Sequence, residues 1–213
     1  MRLKMLLALA LMAILLSGSQ SRAVEIDAAL SIEDGRVSSF YLAIGSHYEA
    51  PEKDLIFVKK RGISDDEMTV VFFLAREARV APAIIVDLRL SGMTWMEIST
   101  RYHLTAKIFY VEIAKSTGPP FGKAHGHFRN RHRDEWHQIK LADADIVNLV
   151  NLKFVTVHYG YSVDEVVKMR EEGQSYIAIH DKVKTAKAKG KAKTSDKDKK
   201  GTDKKGKGKG KGK

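Results

Sequence analysis

Apolar positions along this chain repeat a short motif. Two apolar residues and a third at i+3 precede a cation at i+4, with glycine three residues later and Ser or Thr two beyond it. The phrase occurs at Leu55–Ser64, Ile85–Thr94 and Val166–Ser175. Apolar residues at i, i+1 and i+3 make one side of a short helix. Lys59, Arg89 and Arg170 then fall in its last turn, where positive charge suits the C-terminal dipole. Gly62, Gly92 and Gly173 stand where a helix ends in a left-handed residue, and Ser64, Thr94 and Ser175 stand where the next helix is capped. Ser64…Glu67, Thr94…Glu97 and Ser162…Glu165 each spell a capping box.

The pattern predicts an all-α fold, a compact bundle of short helical hairpins. Helices are expected over about 37–47, 51–61, 65–79, 82–91, 94–102, 105–115, 142–158 and 163–172, while 175–181 reads as helical or extended. Leu55–Val58 and Thr69–Phe73 are rich in strand-forming residues, yet both lie inside capped helical frames. His47-Tyr48 and His158-Tyr159 precede the first and third copies at the same distance. That indicates a duplicated hairpin unit, and the pairs read as buried or interhelical hydrogen-bonding groups. Uneven spacing of the copies excludes a regular solenoid.

The middle copy continues through Trp95-Met96-Glu97-Ile98 to Tyr102-His103-Leu104. This stretch resembles the helix-turn-helix of bacterial regulators and transposases, which implies DNA reading by the following helix, here 105–115. Lys107 and Lys115 are that segment's only cations, fewer than a groove-reading helix presents. The arrangement also resembles uncharacterised exported bacterial proteins with repeated short helices, a likeness that implies architecture and no chemistry.

Charge and termini add a second layer. Arg2 and Lys4 precede an apolar run from Met5 to Leu16 and then small residues, the pattern of a signal peptide over 1–23 cleaved after Ala23 or Ser19. The run is too short to span a bilayer, so the mature protein is expected in an exported, periplasmic or secreted, location. The chain has no cysteine, which excludes disulfides and thiolate chemistry. A lead-in at 24–36 precedes helical block 37–117, and a second block covers 142–181. From Lys182 to Lys213 there are 15 lysines against Asp196, Asp198 and Asp203, a net of +12 in a chain of net +11. The basicity therefore belongs to this tail, whose composition predicts disorder and sequence-blind attachment to an anionic envelope polymer, a lipid surface or nucleic acid.

Between the blocks, 118–141 is rich in Gly, Pro, His and Arg, and irregular chain is expected there. His125, His127, His132 and His137 are candidate ligands for zinc, copper or nickel, at a spacing that matches no strong signature. Lys123, Arg129, Arg131 and Arg133 are candidates for an anion. A structural reading has Phe121, Phe128 and Trp136 pin the segment while its charges stay in water. No Gly-rich phosphate loop, His-Glu-x-x-His or Gly-x-Ser-x-Gly occurs. Most carboxylates fall at helix starts, where capping explains them. The expectation is a non-enzymatic exported binding or scaffold protein without a resident cofactor, with DNA binding and metal or anion binding as alternatives.

Overall fold

The computed structural model describes residues 35–114 and 118–185, with side chains described from Ser39 onward. The expected signal peptide, most of the lead-in and the lysine-rich residues 186–213 lie outside the described residues. Among the described residues nine α-helices follow one another: α1 Gly35–Tyr48, α2 Glu52–Lys60, α3 Asp65–Ala78, α4 Pro82–Leu90, α5 Trp95–Arg101, α6 Gly122–Arg129, α7 Asp143–Tyr159, α8 Val163–Glu171 and α9 over 176–185. Two 3-10 turns, Ala106–Phe109 and Arg133–Gln138, complete the set, and no strand occurs among the described residues. The two segments rich in β-branched and aromatic residues are helical. Eight consecutive residues of α3, Met68 to Ala75, are buried, which makes it the central helix. It packs on α7, α4 and α1.

All three glycine stops adopt the left-handed backbone, with φ of 82° at Gly62, 94° at Gly92 and 83° at Gly173. The starts differ in how they cap. Thr94 and Ser162 form complete capping boxes with Glu97 and Glu165, and the Ser175 hydroxyl accepts from the Ala178 N–H at 3.1 Å. Ser64 instead donates to Glu67 and receives no helix N–H.

The repeat cations reach across their turn to the residue six positions on. Arg89 lies 4.5 Å over Trp95 and donates to the Met93 carbonyl. Arg170 lies 4.4 Å over Tyr176 and donates to the Gln174 carbonyl. Lys59 pairs with Asp65 at 2.8 Å. Each cation thereby ties one helix end to the next helix start.

The duplicated unit is visible in three dimensions. The shift that carries His47 onto His158 carries α1–α2–α3 onto α7–α8–α9, Phe40 onto Asn151 and Thr69 onto His180. Thr69 on α3 donates to Asn151 on α7 at 2.8 Å, and His180 on α9 meets the Phe40 ring on α1 at 5.8 Å. The first helix of each unit thus packs on the third helix of the other.

Two expected elements are corrected. The helix expected over 105–115 is a single 3-10 turn, Ala106–Phe109, followed over 110–114 by chain without helix or strand, with Ala106 and Phe109 anchoring the turn in the core and Ile113 the segment after it. The Ile108 carbonyl is also taken by Lys153 Nζ at 2.6 Å. Conversely, the segment expected to be irregular holds α6. Phe121, Ala124 and Phe128 recur on one face and are buried, and that burial overrides the poor helix propensity of its glycines. The final helix runs past the expected body limit at 181, and Val183 is buried.

Candidate functional site

The segment from 118 to 141 is fastened from beneath. Trp136 Nε1 donates to the Phe128 carbonyl at 3.2 Å and the Arg131 carbonyl at 3.3 Å. The Trp136 ring packs on Tyr110 and Phe128, with centroids 4.5 and 5.1 Å away. Phe121, Phe128, Trp136, Ile139 and Leu141 are buried, so the aromatic pins hold the charged residues outward. Lys123, Arg129, Arg131, Arg133, His132 and His137 are exposed.

On the outer side of α6 an open groove of about 530 Å³ is lined by Gly122, Lys123, Gly126, His127, Asn130 and Arg131. No carboxylate lines it. Among the described residues, Lys123, His127 and Arg131 take part in no ion pair, and Asn130 makes no side-chain hydrogen bond. Several cations of the helical body are engaged, while Lys53, Lys60, Arg79, Arg101, Lys107 and Lys168 lie at scattered positions without an ion pair among the described residues. Arg89 binds Glu67 and Asp143 at 2.6 Å each, Arg61 binds Asp87 at 2.9 Å, Arg76 covers Tyr48, and Lys153 covers Phe73. Of the expected anion-binding set, Lys123 and Arg131 share the groove. Arg133 lies 5.4 Å over Trp136, and Arg129 is exposed at the end of α6.

The four histidines of this segment are not brought together. His125 and His127 are two residues apart on one helix and point to different sides. His132 pairs with Asp134 at 3.1 Å, and His137 Nδ1 lies 2.6 Å from the Asp134 carbonyl. Among the described residues no group of three or more His, Asp or Glu side chains is placed to hold a metal ion.

A different histidine cluster does form, where the two units interlock. His47 and His158 meet with ring centroids 5.7 Å apart, and both pack on Phe154 at 5.2 Å. His180 is buried between Ser39, whose hydroxyl is 2.9 Å from Nε2, and Tyr159, whose hydroxyl bonds Nδ1. One neutral tautomer satisfies both contacts, accepting at Nδ1 and donating from Nε2. Burial, then His158 and Arg76, push the His47 imidazole down to about 4. Burial also lowers His180; Asp181 opposes this, and Lys184 and His158 add to it. The doubled His-Tyr motif signalled two members of this cluster. His180 carried no signal of its own beyond its register with Thr69. The two hydrogen bonds of the His180 ring join α9 to α1 and to α7.

The fold therefore defines a class, an all-α bundle of two interlocked three-helix units with an additional hairpin and a pinned basic flap. No family model, curated protein or solved structure matches the chain.

Proposed function

We propose that this is an exported, non-enzymatic helical protein that attaches to polyanionic surfaces, using the basic flap around α6 together with the lysine-rich residues that follow α9. One observation carries the reading: Lys123 and Arg131 converge on one open groove with no carboxylate in its lining and no ion-pair partner for either among the described residues. Unpaired exposed charge contributes little to stability, so the convergence of two such cations on one groove points to use rather than to folding. Residues 182–213 add a net of +12. Attachment through such charges is sequence-blind and weakens steeply with salt, because bound counterions are released.

Support for export comes from the first 23 residues, which have the composition of a signal peptide. Against the DNA-reading alternative, the segment after α5 is a 3-10 turn with Ala106 and Phe109 buried, so it offers no helix to a groove. The test is adsorption of the full chain to phosphatidylcholine vesicles with and without an anionic lipid, across a salt series. Adsorption only to anionic vesicles, lost by about 0.5 M salt, is the expected result. Salt-independent adsorption, or none, overturns the reading. N-terminal sequencing of the cell-fractionated protein tests export, with a start near Val24 expected.

A further inference from the structure

Gly126 stands fifth in the eight-residue helix α6. Glycine inside a helix costs stability relative to alanine, and the fold gives no reason to keep it there. Its φ lies outside the left-handed region. A Cβ built on it meets nothing within 4 Å. Gly45 shows the contrast, since a Cβ there meets Leu55 Cδ1 at 2.7 Å and close helix packing demands the glycine. What lies above Gly126 is the groove itself, with Lys123, His127, Asn130 and Arg131 around its rim. A bare backbone beneath a ring of donors is what lets a ligand approach a helix closely.

We infer that the α6 groove is a binding site for a phosphate group, seated over Gly126 and held by Lys123, His127, Asn130 and Arg131. The inference rests on the polyanion reading and names the group recognised. Arg131 offers a fork that matches phosphate bidentately, Lys123 a point charge, and Asn130 an amide donor. Two permanent cations with no lining carboxylate call for more than one negative charge. A phosphomonoester supplies about −1.5 to −2 at neutral pH, against −1 for a carboxylate. The groove is open to solvent and serves a terminal group on a larger molecule as readily as a free ion.

The experiment follows backbone amide resonances of the full-length chain during titration with inorganic phosphate against a chloride control. Vesicles of phosphatidylcholine with and without phosphatidic acid are then tested by sedimentation. Saturable shifts confined to 122–131 are expected. Free phosphate alone producing them assigns a soluble source. Response only to phosphatidic acid vesicles, weakened by substitution at Gly126, assigns a headgroup, and both results support the site. Gly126→Ala should raise Tm by about 2 °C while weakening phosphate binding about five-fold. Lys123→Ala with Arg131→Ala should weaken it by at least about ten-fold with Tm unchanged. Phosphate affinity equal to wild type in Gly126→Ala, or no response to either phosphate source, overturns the inference. Salt-sensitive vesicle adsorption without a phosphate response at 122–131 removes this site and leaves the polyanion reading standing. Phosphate binding without such adsorption does the reverse.

Discussion

At the scale of single residues the cations divide by what they face. Arg89 is three-quarters buried and satisfies Glu67, Asp143 and the Met93 carbonyl, while Trp95 donates from its backbone N–H to Asp143 and from Nε1 to Glu67. Removing it strands two carboxylates. Arg89→Met is expected to cost about 2–3 kcal/mol in urea unfolding, whereas Lys123→Ala should stay within about 0.5 kcal/mol. The imidazoles divide likewise. His47 and His180 hold their protons less tightly folded than unfolded, since burial disfavours the charged ring. Unfolding therefore takes up protons, and stability rises with pH. The contribution from His47 is complete above an unfolded imidazole value of about 6.5 and is lost as pH falls toward about 4. The urea midpoint, measured from pH 7.5 to 4, should drop through that window, and His47→Gln should flatten the fall. An unchanged profile in the variant would show that the loss arises elsewhere.

At the scale of elements the phrase repeated in sequence proves to be one joint used three times. Cation, left-handed glycine and hydroxyl start act together, and the cation's grip on residue i+6 adds a link that spacing alone did not reveal. The joints are unequal in their caps. Thr94→Ala should cost about 1 kcal/mol because a full capping box is lost. Ser64→Ala should cost less, since Ser64 caps no helix N–H. Thermal or urea midpoints of the two variants, compared directly, decide this. The sequence located seven helices to within two residues and failed at two segments for one reason. Helix propensity and capping describe how a segment interacts with itself, whereas 105–115 and 122–129 take their form from what they bury. Lys153 claims a carbonyl of the first, and the buried Phe121–Phe128 face holds the second against the glycines within it.

At the scale of the whole molecule the two copies of the duplicated unit interlock. α9 enters the core through Tyr176, Ile179 and His180, all buried, with His180 on Phe40 of α1 and the Tyr176 hydroxyl on Asn148 of α7. A chain ending at 185 should unfold at the same temperature as the full chain within about 1 °C, while one ending at Ser175 should not fold cooperatively. Circular dichroism melts of the two truncations separate these outcomes. The first truncation should also shed most of the salt-dependent adsorption, since it removes most of the net charge of 182–213. The candidate site was legible only in part. Lys123 and Arg131 were recognisable as cations in a suspect segment. The segment was expected to be irregular, so Gly126 read as a loop residue, and its oddity emerged only once it stood inside a helix with empty space above it.

The sequence by itself determined the helical class, the joints and their glycines, the duplication, and the location of the excess charge. These are properties of neighbouring residues and of composition, and they need no folded context. The tertiary structure alone decided that the first helix of each unit packs on the third helix of the other, that His180 joins the His-Tyr pairs, and that four donors surround a bare stretch of backbone on α6. Those facts depend on contacts between residues far apart in the chain, and short-range pattern carries no information about which buried faces meet.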